Sequence, residues 1–341
     1  MPEADKNHVA RALLSDLRFL TAFTLYITLV LPGFGLAHRQ TPQTEAEIRP
    51  QVPSKEEIGG LLQQAQSTLD QGRLQEAEQV TRRYLGVHPD SADAHFLLGH
   101  ILFKANQPKA SLPEFTEGAK FRTPTAFDLK IVALDYILLG AYPDADSWLT
   151  KSLQWNPKDS QGWYYLGRTK YNENRLEEAI RAFERCLELS PENVKAETNL
   201  GLSYEGLARL EEAFAAYRKA IGWQSHLLNP NPAPLIELGR LLLEHDRAEE
   251  ALTYLRQAVA AGPEDSRTHE QLGKTYSRLN KLPEAQEELE KAVGIAPSSA
   301  SLHFMLGQIY RKRGMTEKAK TELERGAALN GSVSPKPSPL D

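Results

Sequence analysis

Gly273-Lys274-Thr275 has the residue types that end a phosphate-binding loop, in which backbone N–H groups, a lysine and a hydroxyl together hold a nucleotide. Such a loop also needs a glycine five residues earlier, and Thr268 stands there. His95 and His100 are five residues apart, which puts them about 140° apart around a helix and too far round to share one metal ion easily. His269 and His303 are thirty-four places apart, a spacing that makes them equivalent residues of a repeat, packed or solvated rather than ligating. The acid pairs Glu177-Glu178 and Glu249-Glu250 fall where second helices begin and the helix dipole favours negative charge. Cys186 is the one cysteine, so an intrachain disulfide is excluded. No catalytic constellation, metal or cofactor is expected.

The elements that carry these residues follow a ruler. Gly99, Gly167, Gly201, Gly239, Gly273 and Gly307 recur every thirty-four places or at twice that spacing, except between Gly201 and Gly239, where the interval is four places longer. Ala77, Ser111, Ala145, Ala179, Ala213, Ala251, Ala285 and Ala319 keep the same spacing and the same four-place slip. Prolines 89, 157, 191, 263 and 297 close most units. Glycine inside a helix costs about 0.5–1 kcal/mol relative to alanine, so close helix–helix approach is the expected compensation. Apolar residues around each glycine keep helical spacing, and each small residue opens a second apolar stripe, which predicts two antiparallel helices per unit and a helical repeat array.

The unit at 160–193 carries Trp163, Leu166, Gly167, Tyr171, Ala179, Phe183, Cys186 and Pro191 in order. In this it resembles the tetratricopeptide-repeat family, with Tyr171 one place later than the family's usual tyrosine. The resemblance covers about residues 58–331 and implies an all-α, right-handed superhelical solenoid of about eight stacked antiparallel helix pairs. The units are expected at 58–91, 92–125, 126–159, 160–193, 194–227, 232–265, 266–299 and 300–331. In the second, Pro108 and Pro113 are expected to delay the second helix until Ser111-Leu-Pro-Glu114, which reads as a capping box. Ala133 replaces glycine in the third. Gly222 to Pro234 is read as a long turn or as a hinge or protruding contact.

The resemblance also implies which residues face the concave groove of stacked first helices. In units two to four these are Phe96, His100, Phe103, Lys130, Tyr164, Arg168 and Tyr171. Aromatic rings interleaved with cations suit an extended or helical peptide bearing apolar and acidic side chains. The last units add Arg240, Lys274, Arg278, Arg311 and Lys312, partly countered by Glu244 and Glu270. Family members that hold chaperone C-terminal carboxylates use asparagines just after the glycine site, and this chain has none there.

Phe19 to Leu31 is an apolar run of thirteen residues preceded by Lys6, Arg11 and Arg18, short of the roughly 20 needed to span a bilayer. Residues 1–37 therefore read as an export signal, either cleaved after Ala37 or kept as a signal anchor. A polar linker follows at 38–57, with Ser54-Lys-Glu-Glu57 as a capping-box start, and residues 332–341 are serine- and proline-rich and expected to be disordered. Forty basic and 45 acidic residues give a net charge of −5, which offers nothing to nucleic acid. The expected function is a noncatalytic, exported protein-interaction scaffold, periplasmic or extracellular, that binds a protein or peptide in the groove. The alternatives are a binding subunit for glycan or peptidoglycan, and a self-assembling repeat protein. Membrane contact is expected only through the N-terminal segment.

Overall fold

A computed structural model describes residues 55–331; the segment read as an export signal, the linker up to Ser54 and the tail from 332 lie outside the described residues. The described residues form sixteen helices in eight consecutive pairs and no strands. The pairs are α1 (Lys55–Asp70) with α2 (Leu74–Leu85), α3 (Ala92–Lys104) with α4 (Pro108–Phe121), α5 (Ala126–Leu138) with α6 (Tyr142–Trp155), and α7 (Ser160–Asn172) with α8 (Leu176–Leu189). They continue as α9 (Val194–Gly206) with α10 (Leu210–Trp223), α11 (Ala233–Glu244) with α12 (Ala248–Ala261), α13 (Ser266–Arg278) with α14 (Leu282–Ile295), and α15 (Ala300–Lys312) with α16 (Thr316–Gly331). The chain divides into two compact units, one ending at Lys158 and one starting at Asp159.

The glycines do what the packing argument requires of them. A Cβ placed on Gly99, Gly167, Gly201, Gly239, Gly273 or Gly307 would come within 2.5–2.8 Å of a ring or branched side chain on the partner helix of the same pair. The opposing residue is Phe115, Phe183, Tyr217, Leu255, Leu289 or Leu323, in every case sixteen residues further along the chain. The small ladder lies at the same crossing, where Ala77, Ala145, Ala179, Ala213, Ala251 and Ala285 are fully buried.

A further phase of the ruler sets the turn inside each pair. Gly72, Asn106, Gly140, Asn174, Ala208, Asp246, Asn280 and Gly314 all have φ between 56° and 76°, the left-handed region that stops one helix and turns the chain back into the next. Ala208 is the residue least suited to that place, since its Cβ crowds the following carbonyl. Ala208→Gly is expected to stabilise the later unit by roughly 1 kcal/mol, read as a higher urea midpoint at unchanged slope.

The expected late start of the second helix in the 92–125 repeat is wrong. Helix α4 begins at Pro108, and Pro113 lies inside it. Pro108 occupies the first turn, where its missing N–H has no intrahelical partner to lose. The Ser111 hydroxyl does not cap its own helix: it donates to the Gly99 carbonyl at 2.9 Å, across the pair.

The long interval after Trp223 is a closed turn. Buried Gln224 spans it, donating through Nε2 to the Asn231 carbonyl at 2.8 Å and accepting the Asn231 N–H at 2.7 Å. The intervening Leu227 and Leu228 project into solvent, Leu228 with 98% of its surface exposed.

Candidate functional site

In the first unit the groove expected from sequence is only partly present. Phe96 is buried, packed on Gly118 with the Arg122 guanidinium 4.5 Å above its ring. Lys130 is also buried, its ammonium 5.5 Å from the centre of the Phe127 ring. Phe103 and His100 keep partial exposure. His100 Nε2 stands 2.9 Å from Asp128 Oδ1, and Asp128 also closes a capping box with Thr125. Burial pushes the Asp128 carboxyl up, but its hydrogen bonds with His100 and Thr125 outweigh this and hold it below the usual carboxylate range.

Two exposed apolar residues of this unit escaped the sequence argument. Phe127 meets His100 edge-on at 5.1 Å, and Leu138 is half exposed at the end of α5. Phe127 lies six residues before the glycine site of the third repeat, a register that none of the expected groove residues occupies. Leu138 lies five residues after that site, the same register as Arg278 and Lys312 of later pairs. Reading that register as a fourth ladder would have found it.

In the second unit Arg168 is exposed, and Tyr164 and Tyr171 are partly so. Burial raises the pKa of both phenols; Arg168 opposes the rise at Tyr164. Arg240 is consumed internally. Its guanidinium donates to Glu205 at 2.6 and 2.7 Å, to Glu237 at 3.0 Å and to Glu244 at 2.8 Å. Three carboxylates thus take four of its five N–H donors and more than balance its charge.

The later cations are less committed. Lys274 pairs with Glu270 at 2.5 Å and Arg278 with Asp246 at 3.0 Å, while Arg311 is exposed and Lys312 reaches only the Ser277 hydroxyl, at 3.5 Å. Lys274, Arg278 and Lys312 rim a cavity of about 510 Å³ whose apolar lining comes from Leu243, Leu289, Met305 and Ile309. Gln271 and Gln308 add amide donors and acceptors. Nearly all of the lining comes from the first helices of three successive pairs, α11, α13 and α15.

The decoys resolve into packing. Gly273, Lys274 and Thr275 lie within helix α13, with Thr275 donating to its own helix at the Gln271 carbonyl at 2.7 Å, so no phosphate loop forms. His95, His269 and His303 share one arrangement: Nε2 donates to the carbonyl of Pro89, Pro263 or Pro297 at 2.9 Å, and Nδ1 sits 2.6–2.7 Å from Glu114, Glu288 or Glu322. Each ring ties the incoming loop, the first helix and the second helix together. Among the described residues no cluster of three or more His, Cys, Asp or Glu could hold a metal. Cys186 is buried, and its thiol is pushed up to about 11, mainly by burial and further by Asp159, which suppresses thiolate chemistry. No helix of the described residues is long and apolar enough to cross a membrane.

Comparison with known proteins places tetratricopeptide repeat models on residues 62–126, 160–193, 196–226, 236–300 and 270–332. Similar curated proteins include the BBSome complex member BBS4 of Bos taurus, 24% identical over 56% of this chain and 36% of its own length. Another is anaphase-promoting complex subunit 3 of Schizosaccharomyces pombe, 28% identical over 41% of this chain and 20% of its own. The cytochrome c-type biogenesis protein CycH of Pseudomonas aeruginosa is 32% identical over 34% of this chain and 28% of its own. The matches thus span well under half the length of these relatives. Among solved structures, the Cut9-Hcn1 tetramer of the APC/C superposes with a TM-score of 0.56 at 18% identity, over 82% of this chain and 54% of that one. The type IV pilus biogenesis factor PilW gives 0.54 at 18% identity, over 61% and 94%. Both likenesses concern the fold.

Proposed function

The chain belongs to the tetratricopeptide repeat family, and from that premise we propose that it is a noncatalytic scaffold or adaptor of the cell envelope whose first-helix surface captures a partner protein or peptide. The observation that carries this reading is the cavity across α11, α13 and α15, with its apolar lining and the cations Lys274, Arg278 and Lys312 beside the paired Arg240 and Glu244. It suits an apolar side chain flanked by a carboxylate, because the apolar portion leaves water while the rim supplies charge-assisted hydrogen bonds. Repeat proteins recognise partners through such extended first-helix faces. The envelope part of the proposal is supported by the basic-then-apolar order of residues 1–37, and by likeness to the cytochrome c-type biogenesis protein CycH.

A crosslinking pull-down from native cell envelope tests the reading. The wild-type chain is expected to capture a partner. Arg278→Glu with Lys312→Glu is expected to fold normally and lose it, since two rim cations become anions. Arg168→Glu with Tyr171→Ala reports whether the partner extends over α7. Undiminished capture by both double variants would remove the first-helix surface from the proposal.

A further inference from the structure

In the later unit, each second helix before the last packs against the first helix of the next pair. At three of these four junctions a tyrosine of the first helix meets a polar residue of the second, with Leu242 in that place at the fourth. Tyr204 donates to Glu184 at 3.5 Å, Tyr310 donates to Glu290 at 2.6 Å, and Arg256 donates to the Tyr276 hydroxyl at 3.2–3.3 Å. Each tyrosine stands in the sequence Leu-Gly-x-x-Tyr, at residues 200–204, 272–276 and 306–310. Three residues beyond Tyr310, Arg313 donates to Gln286 of the same covered helix.

Helix α16 presents these positions again. Glu324 corresponds to Glu290, Lys320 to Gln286 and Leu323 to Leu289, each one full repeat further on. No helix among the described residues follows to cover them. A cavity of about 420 Å³ remains, with Ala319, Leu323 and Ala327 on one face and Lys320 and Glu324 beside them. The first helix of a second copy, α1, has Ala65 and Thr68 where the junction uses glycine and tyrosine, so it lacks the phenol.

We propose that the outer face of α16 docks one amphipathic helix of a partner protein, read through a Leu-Gly-x-x-Tyr segment. The tyrosine hydroxyl donates to Glu324, and an acidic residue three places later pairs with Lys320, where Arg313 meets Gln286 in the internal copy. This surface borders the first-helix face at Arg311 but shares no lining residue with the cavity across α11, α13 and α15.

The probe is a fluorescein-labelled, hydrocarbon-stapled peptide of residues 299–313 with Arg313→Glu, since unstapled helices of this length are marginal in water. Titrated with the full chain, its anisotropy is expected to saturate. Tyr310→Phe in the peptide is expected to weaken binding about tenfold or more, the value of a hydrogen bond to a charged acceptor. Ala327→Arg in the chain, at an exposed residue of the cavity, is expected to abolish binding with helix content unchanged by circular dichroism. Absence of saturable binding, or equal binding by the Ala327→Arg chain, overturns the proposal. Concentration-dependent sedimentation of the wild-type chain that Ala327→Arg removes also overturns it, by assigning the face to a second copy.

Discussion

Asp135→Asn is expected to stabilise the first unit, by an amount that grows with pH. Asp135 is fully buried in α5, and neither carboxyl oxygen has a hydrogen-bond partner. Burial lifts its pKa from 3.8 to about 7; Ser111, whose own proton goes to the Gly99 carbonyl, offsets only part of the rise. At pH values below the unfolded pKa of 3.8, both states hold the proton and the residue costs nothing through ionisation. Between that value and about 7 the unfolded chain releases the proton while the folded chain keeps it, so stability falls as pH rises. Above about 7 the loss is complete. Asparagine keeps the shape and cannot ionise. The expected gain is near zero around pH 4 and on the order of 2–4 kcal/mol at pH 8, read from urea midpoints at the two pH values. Equal effects at both would show that Asp135 does not titrate between them.

Gly201→Leu should cost the second unit about 3 kcal/mol, the upper end of overpacking effects. The Cβ alone would lie 2.6 Å from Tyr217 Cε1, and the ring has nowhere to go. Tyr217 is fully buried, its hydroxyl donates to Glu205 Oε2 at 3.1 Å, and Glu205 is held in turn by Arg240. Burial, and then the neighbouring carboxylates Glu205 and Glu237, raise the phenol's pKa, keeping it a donor. A double-mutant cycle with Tyr217→Ala separates steric from other causes. Most of the penalty should vanish once the ring is gone; a penalty that persists would place the strain in the helix backbone instead.

The fold was legible because steric demands repeat. One glycine per pair has to face a large residue sixteen places on, and one small residue has to sit at the same crossing, so both recur with the period of the helix pair. The left-handed turn seven residues after each glycine site was equally regular, but glycine, asparagine, aspartate and alanine all fill it, and no single letter marks it. The groove was harder. Exposure at a given register depends on neighbours: Phe96 and Lys130 are buried by their surroundings, and Arg240 is claimed by carboxylates, one of them 35 residues away. His269 and His303 were read as packed or solvated, and the structure packs them, but their Glu partners, nineteen residues on, meet them through space alone. Pro113 misled because a proline within a helix forfeits one hydrogen bond, which tertiary packing can outweigh.

The Gln224–Asn231 clamp makes the long interval a point where the chain can grow. Because the ends of the turn are fixed by one side chain, its length is uncoupled from the phase of the helices on either side. The cost of added residues rises only with the logarithm of loop length, about 0.6 kcal/mol per doubling. A fluorescent or affinity module could therefore be spliced between Leu228 and Asn229 without disturbing α10 or α11. The same uncoupling offers a lineage carrying this repeat array a place to acquire an inserted domain without breaking its ruler.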